Sequence, residues 1–258
     1  GLIDLEFFKE EIRENTIFVS IQHANQETGV VQPVKEIAEI CAEKGIIFHT
    51  DAVQSYLKVS LNVREMPITL LSLSAHLIHG PKGVGALFIR KGTKIEKVMY
   101  GGYNEYEIRP GTENLPGIYG FAKAVEIWRK EDAEKIKSLR DYFEKRVFEE
   151  IEYAVLNGDK KKRAPHISNI SFRFIEGESV LLSLDFKGIE VATGSACFSK
   201  ALEASYVLLA MGKSHEESHG SIRFSFSKYN TQEEVDFTLD VLKETVEKLR
   251  KLSPLKEV

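Results

Sequence analysis

Cysteine is nearly absent: Cys41 and Cys197 are the only two in 258 residues. Two cysteines make no disulfide framework, and they suit a reducing compartment, so a cytoplasmic protein is expected. Long apolar runs are also missing. None approaches the ~20 residues of a membrane span, so no membrane association is expected. Charge of one sign is not in excess either. Asp and Glu number 39 against 35 Lys and Arg, a formal net charge of −4. That weak acidity argues against broad nucleic-acid binding. The longest basic run, Lys160-Lys161-Lys162-Arg163, follows Asn157-Gly158-Asp159 and reads as a solvated loop, with a docking patch as the alternative. No internal repeat, low-complexity tract or signal peptide is visible. The chain opens on GLIDLEFFKEEI without an initiator methionine, as expected of a fragment or of a chain whose preceding part is elsewhere.

What is present is enough apolar residue, 43%, to bury a core in one large domain or two modest ones. The first half alternates short apolar runs with amphipathic helix. IFVSI (17–21), IIFHTDAV (46–53), LLSLS (70–74) and VGALFI (84–89) read as strands. Pro33 opens a helix that Gly45 stops, with Ile37, Ile40 and Cys41 on one face. The order predicts an α/β unit with a mostly parallel sheet flanked by helices, covering 1–128. A helical region follows from Pro116 to Glu150, with a break near Lys130–Asp132. Beyond it YAVLN, SNISFRF, IEVATG and SIRFSFS predict strands of a smaller α+β domain at 129–258. Its last helix starts at a capping box, Thr231 with Glu234, and carries an apolar stripe at Val235, Leu239, Leu242, Val246 and Leu249.

Ligands of open α/β sheets sit beyond the carboxyl ends of the strands. Asn25, Asp51, Ser74 and His76 fall at such ends. An acid such as Asp51 there can ligate a metal, act as a base or pair with a ring nitrogen. A nearby carboxylate keeps a pyridinium protonated, the better electron sink, and Gln54 could donate to a ring oxygen. In SAHLIHGPKG (74–83), Ser and His donors precede a Gly-Pro-x-Gly turn. In RPGTEN (109–114), Gly111 and Thr112 supply an amide and a hydroxyl suited to phosphate. His76 and His79 have HxxH spacing, but no paired ligands lie nearby in sequence, which argues against zinc. Cys41 reads as core. Cys197, in the small-residue loop GSAC, could attack, carry sulfur or bind metal as a thiolate. Arg223 could clamp a carboxylate or make a surface ion pair.

With these residues in place, the sequence resembles the cysteine desulfurases of the NifS/IscS type, pyridoxal-phosphate proteins of the class V aminotransferase group. The resemblance runs from GLIDL to LSPL and is carried by VSIQHANQETGVVQP, FHTDAVQS, SAHLIHGPKGVGALFIR, RPGTENLPGI, EGES, GSACFSK, SYVLLAMG and SIRFSFSKYNTQEEVD. It implies pyridoxal phosphate as cofactor, L-cysteine as substrate, a homodimer, and an iron–sulfur scaffold protein as partner. It implies that Asp51 pairs with the pyridine nitrogen, Gln54 with the phenolic oxygen, and Ser74 and His76 with the phosphate. Thr112 reaches the neighbouring subunit's phosphate, Arg223 holds the substrate carboxylate, and Cys197 takes the sulfur as a persulfide.

Three positions depart from the family. Leu77 stands where the covalent lysine follows His76, and leucine has no nucleophilic nitrogen. Lys82 does not replace it, because the family has its own lysine there. Gln26 occupies a cofactor-side position usually held by asparagine, and Tyr106 replaces a usual arginine. The family's first third, with the histidine that stacks on the cofactor, is absent. Two functions are therefore expected to compete: a desulfurase, and a non-catalytic partner whose Cys197 relays sulfur or ligates a shared iron–sulfur cluster. A different class V enzyme is disfavoured, because a transaminase needs the lysine and has no use for the GSAC loop.

Overall fold

The computed structural model describes residues 1–194 and 204–254, so Cys197 lies outside the described residues. By contact the chain forms two compact units. One comprises Ile3–His23 and Gln32–Arg129, the other Gly1–Leu2, Ala24–Val31 and Lys130–Val258.

The first unit opens with α1 (Leu5–Glu11), whose N-cap Asp4 accepts from the amides of Glu6 and Phe7. Its sheet has the order β1 (Phe18–Gln22), β2 (Ile47–Asp51), β3 (Leu70–Ser74) and β4 (Gly85–Ile89). Helix α2 (Val34–Glu43) links β1 to β2. It buries Val34, Ile37, Ala38 and Cys41, spaced to form one stripe, against Phe48, Ile68 and Leu71. Strands β1 to β3 are parallel, whereas β4 runs antiparallel to β3. The reversal departs from simple parallel order, because the short link at 75–84 holds no crossover helix and instead turns back through a 3-10 turn at His76–Ile78. Helix α3 (Leu115–Ile127) closes the unit.

The helical break falls slightly earlier than expected. Trp128 takes an extended backbone after α3, and α4 (Lys130–Glu150) starts directly beyond it. Glu131 and Asp132 lie in the first turn of α4, where carboxylates are favourable, so the acidic stretch begins a helix rather than breaking one.

The second unit is an antiparallel sheet, β5 (Ala154–Leu156), β6 (Ile167–Phe172) and β7 (Ser221–Ser225). Helices α5 (Gly177–Asp185), α6 (Tyr206–Ala210), α7 (His215–His219) and α8 (Gln232–Leu252) complete it. Phe143 and Val147 of α4, Ile170 and Phe172 of β6, and Leu239 and Leu242 of α8 share one core. The capping box at Thr231 and Glu234 is formed, and Val235, Leu239, Leu242 and Val246 are buried along α8. IEVATG makes no strand. Only Ala192 bridges to Arg223, and Gly194, at φ 59°, bends the backbone into the left-handed region two residues later. The basic run is also not uniformly solvated. Arg163 is buried in a bidentate ion pair with Glu144, while Lys160 to Lys162 stay exposed.

Strand β6 is buried at all six positions, although three of them are polar. The polar side chains Asn169 and Ser171 are satisfied from neighbouring segments. Asn157 donates to Asn169 Oδ1 and to Ser171 Oγ, both at 2.8 Å, and Ser171 donates to the Glu217 carbonyl at 2.6 Å. Such pairing removes most of the cost of burying them.

Candidate active site

In the first unit the predicted residues gather where the strands end. Asp51 is the last residue of β2 and Ser74 the last of β3. Asp51 is exposed. One of its oxygens accepts the Val53 amide at 2.8 Å, which starts the turn carrying Gln54. The backbone of that turn is wound tightly, the amides of Ser55 and Tyr56 both donating to the Ala52 carbonyl. Ser74 Oγ lies 2.6 Å from His76 Nδ1, so the two groups expected to meet a phosphate already touch each other.

Leu77 sits half-buried in the middle of the 3-10 turn, between exposed His76 and buried Ile78. His79 then adopts φ 64°, a left-handed conformation uncommon for a residue with a side chain. Gly80 follows, its amide bonding to the Ala75 carbonyl at 2.9 Å. A Cβ at Gly80 would stand 2.9 Å from Ala75, so only glycine fits this return. The turn is thus fully shaped around position 77, and the side chain it presents is a hydrocarbon.

Thr112 is exposed, beside Gly111 at φ 95°. Arg109 Nη1 donates to the carbonyls of both, at 3.3 and 3.4 Å. Tyr106 is 94% exposed and lies in a run of three left-handed residues, Glu105 to Glu107.

Three polar residues of this unit, His49, His23 and Lys58, were not picked out from the sequence. His49 bridges three strands: its Nδ1 is 2.7 Å from Ser20 Oγ on β1 and its Nε2 2.8 Å from Ser72 Oγ on β3. Burial lowers its pKa, and Asp51 two residues on opposes that shift. His23, just past β1, is buried with Nδ1 2.8 Å from Ser55 Oγ, and burial pushes its pKa down to about 4. Lys58 reaches back to the Gln54 carbonyl at 3.3 Å, and burial brings its ammonium down to about 8. Burial alternates along β2, which puts His49 and Asp51 on the same side of the strand, so the HxD spacing in FHTD was the signal for His49.

The remaining predicted residues belong to the second unit. Arg223 lies on β7 and Gln26 in the excursion Ala24–Val31. The structure brings these two together: Arg223 Nη1 donates to the Gln26 carbonyl at 3.1 Å. Asn25, read as a strand-end residue, is instead a buried organiser of that excursion. Its Oδ1 accepts the amides of Glu27 and Thr28, each at 2.9 Å. Among the described residues, no group of three or more His, Cys, Asp or Glu side chains could hold a metal ion. No helix among them is long and apolar enough to cross a membrane.

The strand-end set was tested against a pyridoxal-phosphate-like group on its donor chemistry. A carboxylate for a ring nitrogen (Asp51), an amide for a ring oxygen (Gln54), and a paired hydroxyl and imidazole for a phosphate (Ser74, His76) fit it. Position 77 supplies no amine for a covalent link, so the fit is to a non-covalently held group.

A family model described as aminotransferase class-V matches residues 1–237. The chain is 48% identical to "Cysteine desulfurase IscS" of Dictyoglomus turgidum over 260 residues, covering 100% of this chain and 66% of that protein. It is 46% identical to "Cysteine desulfurase IscS 1" of Archaeoglobus fulgidus, covering 99% of this chain and 67% of that protein. Among solved structures, a "NifS-like protein" superposes with a TM-score of 0.87 at 35% identity, covering 96% of this chain and 66% of that one. The chain thus spans about two thirds of the length of the curated relatives it matches.

Proposed function

Because this chain belongs to the class-V aminotransferase family, we propose that it handles the sulfur of L-cysteine as a cysteine desulfurase of iron–sulfur cluster assembly. The observation that carries the reading is the strand-end set Asp51, Gln54, Ser74 and His76, on a chain 48% identical to a protein named as a cysteine desulfurase. Asp51 and Gln54 would hold the ring of pyridoxal phosphate, and Ser74 and His76 its phosphate. Bound there, the cofactor supplies an electron sink for bond breaking at the amino acid's carbons. On the second unit, the guanidinium of Arg223 is the clamp for the substrate carboxylate.

Cys197 is the sulfur acceptor. Its thiol and L-cysteine give alanine and a Cys197 persulfide. The carbon–sulfur bond breaks, a sulfur–sulfur bond forms, and the β-carbon takes a proton, so no outside oxidant is needed. The persulfide then passes its outer sulfur to an iron–sulfur scaffold protein.

We place the protein in the cytoplasm, where thiols stay reduced. We also assign it a homodimer, with Thr112 directed to the neighbour's phosphate. Support comes from the apolar surface at 98–119, where Val98, Tyr100, Tyr103, Tyr106 and Tyr119 are all at least 74% exposed. Sedimentation of the full chain is expected to give a dimer, and Tyr103→Asp to shift it to monomer. A monomeric native protein would contradict the assignment.

A second reading is favoured by one observation, Leu77 in an otherwise complete turn. In it the chain is a partner without turnover, and Cys197 relays sulfur or ligates a shared cluster. Alanine release from L-cysteine, with pyridoxal phosphate added, separates the two. The desulfurase reading expects slow alanine formation that Cys197→Ser abolishes. The relay reading expects alanine only after Leu77→Lys. No alanine from either protein would overturn both.

A further inference from the structure

Position 77 supplies no amine, so the hold on a pyridine ring falls to Asp51 and Gln54. Asp51 ends β2, and its main chain is tied on both sides. Its carbonyl accepts the His23 amide at 2.8 Å, just past β1. The next amide, that of Ala52, donates to the Ser72 carbonyl of β3 at 3.0 Å. In register Asp51 faces Gln22 on β1 and Ser72 on β3. The Val53 amide orients its carboxylate locally, but the place from which that carboxylate projects is set by the strands around it.

His49 precedes Asp51 by two residues, so both side chains leave β2 on the same face. On that face the imidazole ties together the two strands that flank Asp51. Nδ1 lies 2.7 Å from Oγ of Ser20, the register partner of His49 on β1. Nε2 lies 2.8 Å from Oγ of Ser72, the register partner of Asp51 on β3. Two residues beyond Ser72, on the same face, stands Ser74, which meets His76. Phe18 stacks on the imidazole, with centroids 6.3 Å apart and planes 15° from parallel, and holds the ring plane. Burial outweighs the field of Asp51 and favours the neutral imidazole. A neutral ring donates through one nitrogen and accepts through the other, so each serine meets a complementary partner. Parallel strands ordinarily carry apolar residues on both faces, so this polar row serves something other than packing.

We propose that His49 is a positioning residue for Asp51, fixing β1, β2 and β3 against one another on the face where the carboxylate meets a ring nitrogen. The inference rests on reading Asp51 as the partner of a pyridine ring, but its test needs no turnover. Two probes are bound to the full chain and measured by equilibrium dialysis. One is pyridoxine phosphate, which carries the ring and the phosphate but an alcohol in place of the aldehyde, so it needs no amine. The other is inorganic phosphate, which reports on Ser74 and His76 without the ring.

His49→Ala is expected to weaken pyridoxine phosphate binding by roughly 10-fold or more, while phosphate binding stays within about 2-fold of native. His49→Gln keeps one donor and one acceptor and should recover most of the lost affinity. A general loosening of the unit would weaken both probes alike. If His49→Ala fails to fold, Ser20→Ala combined with Ser72→Ala decides in its place. That protein keeps the imidazole, loses both of its partners, and should show the same split between the probes. Pyridoxine phosphate affinity within about 2-fold of native, equal losses for both probes, or no recovery in His49→Gln would overturn the proposal and leave the strand-end reading standing. A native chain that binds pyridoxine phosphate no more tightly than phosphate would overturn the proposal together with the reading of Asp51.

Discussion

The strand-end residues of the first unit and the polar residues around the 24–31 insert of the second are placed by opposite means. In the first, the Ser74–His76 contact joins residues two apart in sequence, and Asp51 braces the amide of Val53. Strand ends and tight turns suffice to present such groups. In the second, Arg223 meets Gln26 across 197 residues, Ser205 meets Glu27 across 178, and Asn169 meets Glu27 across 142. Those contacts exist only when an insert from one part of the chain is seated in another. The lesson is that a local site tolerates change in its surroundings, whereas a long-range site depends on the whole unit being folded.

Removing one half of a buried long-range contact gives the largest expected loss of stability. Arg163→Ala leaves Glu144 charged and buried, and should cost about 3–5 kcal/mol in urea unfolding. Arg163→Met with Glu144→Leu should recover most of that loss, because apolar packing replaces both charges. If the single variant costs under about 1 kcal/mol, the second unit does not depend on its interior pairs as argued.

The first unit carries a pH dependence from His23. Its folded pKa of about 4 lies below the unfolded value near 6.5, so the unfolded chain binds more protons between those values. The contribution is fully present above pH 6.5, falls as pH drops, and is lost below about 4. Its size is on the order of 3 kcal/mol. Unfolding curves at several pH values should show this slope, and His23→Gln should flatten it. An unchanged slope in the variant would place the titration elsewhere.

The smallest effect belongs to a local contact within the long-range unit. Thr231→Ala removes the α8 cap and should cost about 1 kcal/mol by thermal or urea unfolding. A loss comparable to that of Arg163→Ala would erase the distinction between local and long-range contacts.

The same distinction explains what the sequence made legible. The α2 stripe through Cys41, the α8 capping box and the strand ends at Asp51 and Ser74 follow from spacing alone, and each is formed. The placement of 24–31 was not legible. Asn25, Glu27 and Thr28 are polar and look like loop residues, but they are buried because Asn169 and Ser205 await them far along the chain. Arg163 misled for the same reason: a basic run reads as solvated until Glu144 is found beside it. IEVATG has strand composition, but the left-handed Gly194 limits its pairing to Ala192. The polar bridge of His49 was marked only by the HxD spacing in FHTD.

The proposed function turns on a strand-end set, Asp51, Gln54, Ser74 and His76, grouped around a position, Leu77, that supplies no amine. The most direct test is alanine release from L-cysteine by the full chain with Leu77→Lys, measured with pyridoxal phosphate and with Cys197 intact or replaced by serine. The account predicts that the lysine raises turnover by about 1000-fold or more over the native chain, and that Cys197→Ser removes it. Turnover that Leu77→Lys leaves unchanged, or that persists without Cys197, would contradict it.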